Sequence, residues 1–275
     1  MPPTIVIKSR IRIRQYDPAE TFGFTKEKAR METQLLCEKI GALQAKLYAN
    51  NHCSVLVIFQ GMDASGKDGA TNSLLKQVNP AGVEVSNFKA PSSEELAHDF
   101  LWRVHKAIPR FGRIGVFNRS HYEDVLVARV LNLVPKSTWS LRYQQINRFE
   151  LNLHEAGCTL LKFYLHISPQ EQAERLRARL EDPAKNWKFE SSDLQMRERW
   201  EEFMDAYQDI LNRCSPAHAR WHLIPADRKW VRDYVIAQRV CEALEELNLT
   251  WPKPKEDLSL YTIKDLPNHL IKPTK

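Results

Sequence analysis

No apolar run in this 275-residue chain approaches the roughly 18 residues that a membrane-crossing helix needs. Met1-Pro-Pro-Thr has neither the basic nor the apolar region of a signal peptide. A cytoplasmic protein with no membrane partner is therefore expected. The five cysteines (Cys37, Cys53, Cys158, Cys214, Cys241) are odd in number, scattered and without a C-x-x-C. That argues against a disulfide framework or a zinc site, and for buried thiols. Internal repeats, low-complexity blocks and clear linkers are also missing, so one domain over residues 1–275 is expected. Acid is missing locally: between Phe100 and Tyr122 stand Arg103, Lys106, Arg110, Arg113, Arg119 and two histidines, with no Asp or Glu. A charge run is ordinarily a solvated face. Here it adds to a net charge of +6 and suits an anionic partner.

What is present is an ordinary globular composition, 43% hydrophobic and 27% charged, enough for a sizeable core. Val55-Leu-Val-Ile-Phe-Gln-Gly-Met-Asp63-Ala-Ser-Gly66-Lys67-Asp68-Gly69 is an apolar run that breaks into a glycine-punctuated turn carrying a lysine. It reads as a buried strand feeding a helix through a phosphate-cradling loop. Inward-pointing amides, the positive helix N-terminus and the Lys67 ammonium converge on a polyanion. Gly61-x4-Gly66-Lys67 fits the P-loop pattern up to its last position, where Asp68 replaces the usual Mg2+-binding Ser or Thr. Asp63 and Asp68 are then the nearest carboxylates for a metal.

Around this unit the pattern is α/β. Residues 1–24 read as an irregular arm with alternating Ile5-Val-Ile-Lys and Ile11-Arg-Ile-Arg, an edge strand or a partner contact. A packing helix is expected over 26–49, a strand over 83–88, a helix from the Ser92–Glu95 capping box to about Ala107, and a third strand over 114–117. That strand delivers Asn118-Arg119-Ser120-His121-Tyr122-Glu123-Asp124 to its carboxyl end, where ligands bind in open α/β sheets. A helix over 139–154, a strand over 159–167 and a short strand at 221–225 complete a sheet of about five strands. Between them, residues 168–213 read as lid helices: Ser168-Pro169 starts one that carries Arg175 and Arg179 on one face, and 193–212 forms another. Residues 251–275, rich in proline and lysine, read as an irregular tail.

Four motifs in order, Gly61-Met-Asp-Ala-Ser-Gly-Lys-Asp-Gly69, Asn79-Pro-Ala-Gly-Val83, Phe117-Asn-Arg-Ser-His-Tyr-Glu-Asp-Val125 and Asp182-Pro-Ala-Lys-Asn-Trp-Lys-Phe189, resemble those of type 2 polyphosphate kinases over about residues 25–250. The resemblance implies a P-loop kinase fold similar to thymidylate kinase, with a parallel sheet flanked by helices and a helical lid. It implies phosphoryl exchange between inorganic polyphosphate and nucleotides. Asp68 then belongs to the pattern, Asp63 is the essential loop carboxylate and Lys67 the phosphate-binding lysine. Asn118 falls where many members carry aspartate, which leaves the metal to Asp63 and Glu123. The Glu123 form resembles the class III subgroup, which uses AMP as well as ADP.

Asp63, Lys67, Arg119 and Arg179 are thus the expected catalytic residues. Substrate binding is expected from Gly61, Ala64, Ser65, Gly66 and Asp68 in the loop, and from Lys89, Arg103 and Lys106 on a basic surface along which polyphosphate would lie. Asn118, His121 and Glu123 after the third strand, with Arg175 and Lys188 in the lid, complete the set. The expected cofactor is Mg2+, with Mn2+ as its substitute. The expected partners are polyphosphate, ADP/ATP, AMP and guanine nucleotides, without nucleic acid, in a homo-oligomer (dimer or tetramer). The nearest rival is an ATP-dependent nucleoside monophosphate kinase sharing loop, lid and metal. A basic nucleic-acid-binding module is the more distant one, since it would need no Lys67.

Overall fold

The computed structural model of the protein describes residues 5–262. Residues 1–4 of the expected arm and 263–275 of the expected tail lie outside them.

Strand β2 (Ser54–Gln60) is buried along its whole length. Its side chains alternate between two cores, Leu56 and Ile58 into one, Val55, Val57 and Phe59 into the other. Burial on both faces explains why this strand is a continuous apolar run rather than an alternating one. Each such apolar side chain contributes on the order of 1.5–3 kcal/mol. β2 pairs in parallel with β4 (Ile114–Asn118) on one side and β5 (Cys158–His166) on the other. β3 (Val83–Asn87) and β6 (Trp221–Pro225) extend the sheet outward, again in parallel. From edge to edge the order is β1-β6-β5-β2-β4-β3. The chain leaves β2 for β3 and β4 on one side, then crosses to β5 and β6 on the other. β2 and β4 therefore flank the point where the winding reverses, and their carboxyl ends frame a crevice.

The sheet has six strands rather than the expected five or so. The sixth, β1 (Ile5–Val6), comes from the N-terminal arm and pairs antiparallel with β6. The arm's second alternating stretch is not a strand. Side-chain amides at the C-terminal end of α9 (Trp200–Arg213) take its backbone groups instead: Ile11 N donates to Asn212 Oδ1 at 2.9 Å and Ile13 N to Gln208 Oε1 at 2.8 Å.

Helices α1 (Lys26–Asn50), α2 (Lys67–Leu74) and α10 (Lys229–Glu246) cover one face. The other is covered by α5 (Glu123–Val130), α6 (Lys136–Glu155) and α9. The Ser92–Glu95 capping box is present, but the expected helix to Ala107 is two, α3 (Ser93–Leu96) and α4 (Trp102–Ala107). Asp99 Oδ1 accepts from Leu101 N at 3.0 Å, a local bond that competes with helix continuation. The expected helix over 193–212 also divides, at Arg199, into α8 (Ser191–Glu198) and α9. α7 (Pro169–Glu181) and α8 lie over the loop end of the sheet. α9, by contrast, buries Phe203, Met204, Ala206, Tyr207, Ile210 and Leu211 in the core, so the last helix of the stretch read as a lid belongs to the body. Residues 251–262 are exposed.

Candidate active site

The loop Gly61–Gly66 leaves β2 and enters α2 at Lys67. Its turn is too tight for ordinary backbone. Ala64 stands at φ 61° and Gly66 at φ 101°, where a side chain is disfavoured, and a Cβ on Gly66 would collide with Arg232 Nη1. Side chains from two helices hold the loop's carbonyls. Arg175 of α7 donates to Ala64 O (3.0 Å) and Ser65 O (2.8 Å), and also to Ala226 O (2.6 Å) and Asp227 O (3.1 Å) beyond β6. Gln172 donates to Asp63 O at 2.9 Å. Arg232 of α10 donates to Gly66 O at 3.0 Å. The Lys67 ammonium donates to Gly61 O (2.8 Å) and Met62 O (3.2 Å). It is 8% exposed. Burial first, and then the neighbouring Arg119 cation, lower its pKa to about 8, against the pull of Asp63, Glu123 and Asp68.

The second half of the site follows β4. In the strand register Asn118 faces Phe59, so the turn after β4 emerges beside the phosphate loop, and Arg119 N donates to Phe59 O at 3.1 Å. Arg119 is itself left-handed, φ 60°, a strained geometry that re-aims its side chain. Its guanidinium reaches Asp63 Oδ1 at 2.6 Å and Glu123 Oε2 at 3.9 Å. Burial works against the Arg119 charge, but Glu123 and Asp63 outweigh it and raise its pKa. Burial raises the pKa of Glu123 despite Arg119 and Lys67. Asn118 Nδ2 donates to Asp68 Oδ1 at 2.6 Å, and Lys188 lies 3.5 Å from the other Asp68 oxygen. Burial alone would raise the pKa of Asp68; the Asn118 bond and Lys188 more than offset it.

From the helical stretch above, Arg179 donates to Asp193 Oδ2 (2.8 Å) and Lys188 O (3.1 Å). Asp193 is pushed up in pKa by burial and then by the charge of Asp63, which places it at the same focus. Gly61, Asp63, Ala64, Gly66, Lys67, Asp68, Asn118, Arg119, Glu123, Arg175, Arg179 and Lys188 are thus brought to one end of the sheet.

Other expected residues are not brought there. His121 is fully buried, its Nε2 3.2 Å from Glu150 Oε1. Glu150 also takes the Lys162 ammonium at 2.6 Å and the Tyr122 hydroxyl at 2.8 Å, and Lys162 donates further to Tyr122 Oη and Cys214 O. This buried polar network lies beneath the start of α5, with His121 Nδ1 left without a partner among the described residues. Its members are solvent-free, His121 among them. Ser65 does stand in the loop, its residue buried and its carbonyl held by Arg175. Arg103, expected on a basic surface, is 8% exposed, donating to Asp124 (3.1 Å) and Lys89 O (2.9 Å), with Glu95 at 3.8 Å. Lys106 lies over the Trp102 ring at 4.1 Å, and Lys89 is exposed. The acid-free stretch is not one continuous channel. Arg110 and Arg113 precede β4, roughly 16 Å from its loop end at about 3.3 Å per residue, and Arg110 is paired with Glu84 at 2.8 Å. Sequence spacing hid these acids because they arrive from other elements.

Sequence reasoning missed Gln172, Arg232 and Asp193. Gln172 shares a helix face with Arg175 and Arg179 by its i, i+3 and i+7 spacing, a signal that was available. Arg232, which grips Gly66 O, and Asp193, which holds Arg179, carry no motif in the chain and take these places only through tertiary packing.

Among the described residues no group of three or more His, Cys, Asp or Glu is arranged to hold a metal. Asp63 and Glu123, which flank Arg119 and are 19% and 16% exposed, do fit Mg2+. That ion is typically held by one or two carboxylates, with substrate phosphates and waters completing the shell. No helix of the described residues is long and apolar enough to cross a membrane.

Comparison with known proteins gives a consistent picture. A model of the family described as polyphosphate kinase 2 matches residues 23–251. The chain is 44% identical over 248 residues to a protein of Meiothermus ruber named AMP/ADP-polyphosphate phosphotransferase, covering 90% of this chain and 93% of that protein. It is 44% identical over 228 residues to an ADP-polyphosphate phosphotransferase of Rhodopseudomonas palustris, covering 78% of this chain and 79% of that one. The crystal structure of polyphosphate kinase 2 from Arthrobacter aurescens TC1 superposes with a TM-score of 0.88 at 37% identity, over 94% of this chain and 97% of the other.

Proposed function

The chain belongs to the polyphosphate kinase 2 family, and from that premise we propose that it transfers the terminal phosphoryl group of inorganic polyphosphate to ADP, forming ATP, and to AMP, forming ADP, reversibly and with Mg2+. The observation that carries the reading is the meeting of Lys67, Arg119 and Asp63 where the ends of β2 and β4 adjoin. Phosphoryl transfer asks a protein mainly for positioning and charge neutralisation, and this constellation offers both.

The terminal phosphate of the donor sits in the loop, where the amides of α2's first turn face it and Lys67 exchanges its carbonyl partners for phosphate oxygens. Arg119, tethered by Asp63 and Glu123, donates to the group in transit at a fixed angle. Arg179 and Lys188 come from the α7–α8 segment to the nucleotide phosphates. Asp63 and Glu123 would hold Mg2+, or Mn2+ in its place, and the ion would supply charge neutralisation at the phosphates. Asp63 also orients the acceptor phosphate by holding Arg119, a positioning role that needs no proton transfer. Because Arg110 and Arg113 stand at the opposite end of β4 from the loop, the donor is not laid along the whole stretch from Phe100 to Tyr122.

Incubation of the pure protein with ADP, Mg2+ and long-chain polyphosphate, without other nucleotide, is expected to yield ATP. No ATP would sink the reading. The same assay with AMP or GDP as sole acceptor defines the acceptor range. The rival, an ATP-dependent nucleoside monophosphate kinase, is not favoured by the names of the relatives above.

A further inference from the structure

Outside the site, a cavity of about 790 Å3 opens between the first turns of α1, the C-terminal end of α2 and the start of α10. Five cations line it: Lys26, Arg30, Lys76, Arg228 and Lys229. Its three acids are already engaged, each by a group that does not line the cavity. Glu171 is held by Arg175 at 2.7 Å, Asp233 by Arg232 at 2.6 Å, and Asp227 accepts from Ser168 N at 2.8 Å. Among the described residues, by contrast, Lys26, Arg30, Lys76 and Lys229 have no ion-pair partner, and Arg228 reaches the carbonyl of Ala19 at 3.3 Å. Burial, and then Arg175 and Arg232 nearby, depress the Lys229 pKa against the pull of Glu171, as expected where cations outnumber acids.

The cavity is joined to the phosphate loop. Arg232, which grips Asp233 in the cavity wall, donates to Gly66 O at 3.0 Å. The contrast with the acid-free stretch is direct: Arg103, Arg110 and Arg119 there are paired with carboxylates, whereas the cavity cations are unspent. They come from α1, the turn after α2 and the start of α10, too dispersed for one phosphate and suited to a chain of them.

We propose that this cavity holds the distal phosphates of the polyphosphate donor, the chain passing from the loop beside Lys67 across the start of α10 toward Lys76. The inference rests on polyphosphate being the donor. A long donor then makes contacts that tripolyphosphate, confined to the loop, does not reach.

The test compares ATP formation from ADP with tripolyphosphate and with long-chain polyphosphate. Wild-type turnover comes first: no ATP from either donor defeats the polyphosphate reading itself, before any variant is compared. The exposed-cation variant Lys26→Ala/Arg30→Ala/Lys76→Ala is then expected to raise KM for long-chain polyphosphate about tenfold. Its kcat, KM for ADP and tripolyphosphate kinetics should stay at wild-type values. The salt dependence of the long-chain KM should become shallower. Lys76→Glu alone should act in the same sense. An unchanged long-chain KM, or an equal loss with tripolyphosphate, overturns the cavity assignment.

Discussion

The guanidinium of Arg119 lies 2.6 Å from the carboxylate of Asp63, joining the loop after the central strand to the turn after its neighbour. Asp63→Asn keeps the shape of this link and removes its charge. We expect kcat for ATP formation to fall about 10²–10³-fold, the scale seen when one electrostatic contact to a transition state is lost, with circular dichroism unchanged. A kcat for the Asp63→Asn enzyme within a few-fold of wild type would show that the carboxylate is only structural.

Lys67 gives a pH signature. With its pKa lowered to about 8, the free enzyme loses the ammonium as pH rises through that value, so kcat/KM for polyphosphate should decline above about pH 8. The decline should be weaker in kcat, because bound phosphates hold the proton on. The stability sign is opposite. Between about 8 and the ordinary 10.5 the unfolded chain binds the extra proton, so this group's contribution to stability rises with pH across that window and is least favourable below it. A kcat/KM profile flat from pH 7 to about 9.5 would contradict the assignment.

Gly66→Ala places a Cβ against a pinned arginine at a positive φ. Arg232 cannot yield easily, since it is 3% exposed and held by Asp233. Destabilisation of about 1–3 kcal/mol in urea unfolding is expected, together with weakened tripolyphosphate binding by calorimetry. Wild-type values in both would mean that the loop tolerates another conformation.

Beneath the site, Lys162→Met leaves Glu150 charged and buried without its closest partner. A loss of about 3–5 kcal/mol is expected, and the double variant Lys162→Met/Glu150→Gln should lose less than the two singles summed. Denaturant titration of all four proteins decides this; strict additivity would mean that the pair is not coupled.

The sequence made the central elements legible because their signals are local. A two-sided apolar strand, a glycine turn and a lysine identify β2, the loop and α2 within fifteen residues, and the polar run from Asn118 to Glu123 stands at the end of an apolar strand. What could not be read depends on partners distant in the chain. Arg103 looked free because Glu95 and Asp124 lie outside its acid-poor neighbourhood. His121 looked like a ligand because Glu150 is 29 residues away. The burial of α9, after the helical stretch divides at Arg199, goes with its packing against α5, an element far away in the chain.

Arg175, Gln172 and Arg232 do not stand in the phosphate cradle; they grip its outer side. Together they occupy the carbonyl oxygens of Asp63, Ala64, Ser65 and Gly66. The planes of Asp63, Ser65 and Gly66 so pinned have their negative ends committed outward, which leaves the N–H groups of Ala64, Gly66 and Lys67 to turn inward, while Ser65 N donates to Met62 O at 3.1 Å. The helices thereby set the polarity of the loop from behind, before any anion arrives. Losing one of these grips would let a peptide flip and present an acceptor to a polyanion, converting a donor-lined surface into a repulsive one without altering a single residue that touches it.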